Sequence, residues 1–134
     1  VERLREQGAF ISVAHPFDPH RGSSWAPGEL EAILPYLDGI EVFNARCVRS
    51  EYNEDALAFA QKYNKFGMAG SDAHSSRELG RAAVLLPPFN TAEELREAMR
   101  SSTLEARLSS PTIHLISTWA KFAKKLKCIQ SDEG

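Results

Sequence analysis

A chain of 134 residues fits one domain that can bury a core without disulfides or a structural metal. Its 43% hydrophobic and 25% charged residues argue against a disordered or membrane-embedded chain, and a formal charge of −2 leaves no basic excess to indicate a nucleic-acid surface. No stretch approaches the roughly 20 apolar residues of a spanning helix, no secretory leader pattern opens the chain, and Cys47 and Cys128 match no CxxC spacing, so a reducing, cytoplasmic setting is expected.

The chain opens on Val1 rather than Met, and VERLREQG reads as the end of a helix closed by a glycine, which is the expectation for a piece of a longer protein. AFISVA at 9–14 is a short apolar run suited to a buried strand, broken at once by His15-Pro16. Pro19, Gly22 and Gly28 among polar residues then mark a long loop, the kind of segment that often carries function. GELEAILPYL at 28–37 spaces Leu30, Ile33, Leu34 and Leu37 as a helix that Pro35 ends or kinks.

GIEVFN at 39–44 is the second strand, followed by a helix from about Glu51 to Asn64 with Ala56, Phe59, Ala60 and Tyr63 on one face. FGMAGS at 66–71 is the third strand, and DAHSSRELG leads from it to a fourth, AAVLLP at 82–87. In TAEELREAMRS at 91–101, Thr91 stands three residues before Glu94, a helix-start capping signature. From 111 to 129, Ile113, Ile116, Trp119, Ala120, Ala123 and Leu126 recur at helical spacing between lysines, an amphipathic terminal helix with a solvated basic face. Strands alternating with helices predict an α/β fold with parallel strands, either an open sheet or part of a βα barrel.

Two motifs carry chemistry, and both sit where a strand gives way to a loop. SVAHP at 12–16 ends a strand at His15, and proline stops the regular sheet there. GMAGSDAH at 67–74 places Asp72 and His74 two residues apart, a spacing that in extended chain points both side chains to one side, about 7 Å apart along the backbone. A carboxylate oxygen and an imidazole nitrogen so placed are half of a metal site. Taken singly, such residues are more often hydrogen-bonded loop histidines and turn-capping aspartates. Taken together, all three fall at C-terminal strand ends, the edge on which α/β sites are built.

AHPF at 14–17, GIEVFN at 39–44 and GSDAHSSRELG at 70–80 together resemble the later motifs of the PHP (polymerase and histidinol phosphatase) family, in order, spacing and flanking βα pattern, up to about residue 125. The resemblance implies the C-terminal part of a distorted seven-stranded, TIM-like βα barrel. Residues 1–134 would then be a single, partial PHP domain that lacks the family's N-terminal His-x-His pair and bridging glutamate. It implies divalent ions (manganese, iron, zinc or magnesium), with His15, Asp72 and His74 as ligands. Glu41 and Asn44 border the site; a hydrogen-bonded role near the strand end accounts for Glu41 as well as a ligand role would. His20 has the reach to join from its loop, whereas His114 falls in the final helix as a polar surface residue.

The activity implied is hydrolysis of a phosphate ester, with bound ions lowering the pKa of a water and holding a phosphate oxygen during in-line attack. Arg21, Arg46 and Arg77, in loops after strands, and Asn44 are the candidates to contact the substrate, since a guanidinium offers paired donors to phosphate oxygens. A cluster of two or three ions wants on the order of seven to nine protein ligands, so three imply that this chain supplies only part of a site. The alternative is a noncatalytic PHP-like module, either metal-binding or a scaffold. The expected partner is a small phosphorylated substrate, without a membrane, and the open strand edges of a partial barrel leave pairing with a further chain open.

Overall fold

The computed structural model describes residues 1–21, 25–26 and 28–108. The helix expected at 111–129, with His114 and Cys128, lies outside the described residues. Helix α1 spans Glu2–Glu6 and closes as the sequence predicts, with Gly8 at φ 75 and its N–H donating to the Arg5 carbonyl at 2.9 Å.

Three parallel strands follow, in the order β1 (Ser12–Val13), β2 (Gly39–Asn44) and β3 (Phe66–Gly70). The first is shorter than the apolar run at 9–14. The Ile11 amide donates to the Asp38 carboxylate at 2.8 Å instead of to a strand, and His15 leaves the sheet at φ 33. Between β1 and β2, helix α2 (Glu29–Ile33) gives way to a 3-10 turn over Leu34–Tyr36, because Pro35 has no N–H to continue the α-helical ladder. Helix α3 (Ser50–Lys62) connects β2 to β3 and buries Ala56 and Ala60. These meet Val13, Leu30, Leu37, Ile40 and Val42 in one apolar cluster, flanked by Phe17, Trp25, Ile33 and Phe59. The sheet is thus covered by the face of α3 that the helical spacing selected.

Strand β4 (Ala82–Leu85) corrects the expectation of a fourth parallel strand. It pairs antiparallel with β5 (Thr103–Ala106), a strand whose four residues are all exposed and which has no alternating apolar signal to reveal it. The intervening helix α4 (Ala92–Met99) starts as predicted, with Thr91 Oγ1 accepting from the Glu94 amide at 3.1 Å. Glu94 in turn accepts from the Asn90 amide at 2.6 Å, one residue earlier than in an ordinary capping box. The two-stranded sheet lies against β3. The architecture is therefore mixed α/β with a parallel sheet of three strands, and a closed barrel is not formed by the described residues.

Asp38, immediately before β2, fastens the end of the sheet remote from the candidate site. Its carboxylate accepts from Arg5 Nη1 at 2.9 Å and Arg96 Nε at 2.9 Å, and Arg96 Nη2 also donates to the Ala9 carbonyl at 2.6 Å. One side chain thus joins α1, β1, β2 and α4. Burial pushes the Asp38 carboxyl upward, but the bonds from Arg96, the Ile11 amide and Arg5 outweigh it and hold the group below its ordinary range. Among the described residues no helix is long and apolar enough to cross a membrane.

Candidate functional site

His15, Asp72 and His74 all lie beyond the C-terminal ends of β1 and β3, beside the end of β2. The connection between them runs through β2. The His15 amide donates to Glu41 Oε2 at 2.6 Å, Asn44 Nδ2 donates to the same oxygen at 3.3 Å, and Asn44 Nδ2 also reaches Asp72 Oδ2 at 3.4 Å. Residues three apart on a regular strand face opposite sides, so Glu41 and Asn44 should not meet. They do because the β2–β3 register slips between Glu41 and Phe43, a bulge that re-aims the strand's last residues. Gly70 makes the space: a Cβ there would stand 2.1 Å from Glu41 Oε1. The hydrogen-bonded reading of Glu41 matches these contacts.

Asp72 and His74 do come together, but not as an extended pair. Asp72 adopts φ 48, a left-handed turn conformation that Asp tolerates better than most residues. The His74 ring folds back so that Nδ1 lies 2.8 Å from the Asp72 carbonyl and 3.7 Å from Asp72 Oδ1. A carbonyl only accepts, so Nδ1 is the donor in this contact and Nε2 is the ring nitrogen left to face a ligand. Metal-bound histidines are commonly oriented this way, by a carbonyl on the other ring nitrogen. His15 Nδ1 is buried with no hydrogen-bond partner, an atom of the right type left unsatisfied at the same edge. The donor set therefore fits part of a metal site. It is not a whole one: among the described residues no three His, Cys, Asp or Glu side chains are grouped to hold an ion.

The arginines divide. Arg21 Nη2 pairs with Asp72 Oδ2, and its Nε lies 3.5 Å from Asp18 Oδ2, so Arg21 sits at the rim between two carboxylates. Arg77 is exposed in the turn after Asp72. Arg46, a candidate substrate contact, is 4% exposed, and its Nη1 is engaged by Glu78 Oε1 at 2.8 Å. Asn44, the other buried candidate, is 1% exposed, and its side chain contacts Glu41, Asp72 and the Arg46 amide. Burial turns both residues inward. His20 stays outside the network, exposed with its ring tilted against Tyr52.

Sequence reasoning missed Asp18 and Glu78, both almost wholly buried. Asp18 caps the short Pro19–Arg21 turn by accepting from the His20 amide at 2.9 Å. Glu78 accepts from Arg46, the His74 amide and the Ser75 hydroxyl. The Ser75-x-x-Glu78 spacing is a capping-box signature and was the signal available for it. Cys47 lies beside Asp18, and burial, joined by the Asp18 carboxylate, pushes its thiol up to about 11.

Comparison with known proteins agrees with the motifs. A protein of Methanocaldococcus jannaschii, itself uncharacterized, is 45% identical to this chain over 94 residues, which cover 67% of this chain and 39% of that protein. The chain thus spans well under half the length of this relative. The family model described as PHP-associated matches residues 50–104, from the start of α3 to β5. The match over residues 50–104 is consistent with the C-terminal portion of a PHP-family protein.

Proposed function

We propose that the full-length protein is a metal-dependent phosphoesterase and that this chain supplies part of its site, with His15, Asp72 and His74 as ligands to divalent manganese, iron, zinc or magnesium. The observation that carries this reading is the continuous set of contacts from His15 through Glu41 and Asn44 to Asp72 and His74, which gathers the donors at one sheet edge. When bound, such ions lower the pKa of a water and neutralise phosphate oxygens. The chain's own residues do the rest. Glu41 fixes the His15 main chain, the Asp72 carbonyl orients the His74 ring, and Arg21 and Arg77 present guanidinium groups toward a small phosphorylated substrate.

The test is hydrolysis of p-nitrophenyl phosphate and its diester by the full-length protein with added manganese. Asp72→Ala is expected to lower turnover by at least about a hundredfold, the scale on which loss of a site ligand acts, with an unchanged circular dichroism spectrum. Wild-type turnover in the variant would remove Asp72 from the site. One contact favours a noncatalytic module instead: Arg21 already neutralises Asp72. That reading predicts no hydrolysis of either substrate by the wild-type protein, with or without metal.

A further inference from the structure

We propose that Glu78 is a positioning residue for the turn bearing Asp72 and His74, a role that goes beyond the metal-dependent reading and rests on it only for its consequence in metal affinity. The side chain is 1% exposed, and its two oxygens are divided between two tasks. Oε1 accepts from Arg46 Nη1 at 2.8 Å, while Oε2 accepts from the His74 amide at 3.0 Å and the Ser75 hydroxyl at 2.9 Å. The main chain closes the same turn, with the Glu78 amide donating to the Ser75 carbonyl at 3.1 Å.

An ion pair that only stabilised the fold would need charge contact and nothing more. Here one oxygen is spent wholly on the turn that carries the candidate ligands. Arg46 extends the brace to the other side of the site. Its amide donates to Asn44 Oδ1 at 2.9 Å and its carbonyl accepts from Arg21 Nη2 at 3.5 Å, and Asn44 and Arg21 are the residues that hold Asp72 Oδ2. The pair Arg46–Glu78 therefore ties the turn after β2 to the turn after β3. The His74 side chain is 37% exposed, and the Asp72 carbonyl that orients its ring and the Glu78 carboxylate that holds its amide act on the same turn, so loosening the amide loosens the ring. Residues that orient ligands in this way typically change metal affinity or activity by about 10- to 100-fold when replaced.

The experiment uses the full-length protein and two variants. R46M/E78L removes both charges and restores apolar packing, which avoids stranding the buried Arg46 guanidinium without its Glu78 carboxylate. E78D keeps a charge for Arg46 but is one methylene too short to serve both sides. In each, hydrogen–deuterium exchange is expected to rise at least about tenfold in residues 71–78 while the β2 and α3 amides keep wild-type protection. Manganese affinity, read by electron paramagnetic resonance, is expected to fall about 10- to 100-fold. Wild-type exchange at 71–78 in E78D, or in the double variant, would overturn the proposal, as would faster exchange spread evenly over the core. Because exchange is read without metal, a wild-type protein that binds no manganese sinks the metal reading while the exchange result still decides the role of Glu78.

Discussion

At the scale of single residues, the site depends on an atom that is missing. Gly70 has no Cβ, and the space is filled by Glu41 Oε1, which a methyl group would approach to 2.1 Å. The atom displaced is the far end of a flexible side chain, so Gly70→Ala need not disturb the backbone. The cost is the bond from the His15 amide to the Glu41 carboxylate, a charge-assisted bond of about 1.5–3 kcal/mol. Gly70→Ala should therefore lose about 2 kcal/mol in urea denaturation, and the same substitution in a Glu41→Ala background should cost close to nothing. Additive losses in that cycle would show that Gly70 serves the backbone rather than Glu41. The sequence placed His15, Asp72 and His74 beyond the C-terminal ends of strands because strand ends and proline are local signals. It had no means of showing that a bulge in β2 would bring Glu41 and Asn44 to one side, since register is fixed only against a neighbouring strand.

At the scale of elements, the two ends of the sheet are held by buried carboxylates of opposite purpose. Glu78 braces the site loops, and Asp38 ties α1, β1, β2 and α4 together at the other end. Burial pushes the Glu78 carboxyl up, yet the bonds from Ser75 and the His74 amide, with the Arg46 charge, hold it below its ordinary value, as the arginines and the Ile11 amide do for Asp38. A carboxyl depressed on folding contributes stability that is present in full above its unfolded pKa, about 4, and is lost as pH falls through the lower folded value. Stability should therefore be level from neutrality to about pH 5 and decline below it. Asp38→Asn should cost about 3 kcal/mol at pH 7 and flatten the decline below pH 4, measured by guanidinium unfolding across pH. An unchanged slope would mean that Asp38 is not among the groups that drive acid unfolding.

The same scale explains what was legible in the elements. α3, β2, β3 and the Thr91 cap were read from periodicity and spacing, and each formed within a few residues of its expected bounds. β5 was invisible because its side chains are exposed on all four residues, and the direction of β4 was misread because direction depends on which strand it pairs with.

At the scale of the whole molecule, the proposed site is shared, with three candidate ligands set at the edge of a three-stranded parallel sheet. The chain spans 39% of its Methanocaldococcus jannaschii relative, and its described residues group no complete set of metal donors. The isolated chain should accordingly bind manganese, iron or zinc weakly and below stoichiometry, and should hydrolyse p-nitrophenyl phosphate at least about a hundredfold more slowly than the full-length protein. Metal analysis of the purified chain checks this, and a stoichiometric cluster of two or more ions within it would refute the shared-site reading.

The sequence by itself determined the types of residue at the strand ends, the helical faces that cover the sheet and the motifs that resemble the PHP family, because each is written in neighbouring positions. Only the tertiary structure decided that Arg46 and Asn44 turn inward, that Arg21 caps Asp72, and that Glu78 grips the His74 amide. The first two outcomes depend on which buried polar group meets which partner across 28 to 51 residues of chain, where the cost of leaving such a group unpaired outweighs any local preference.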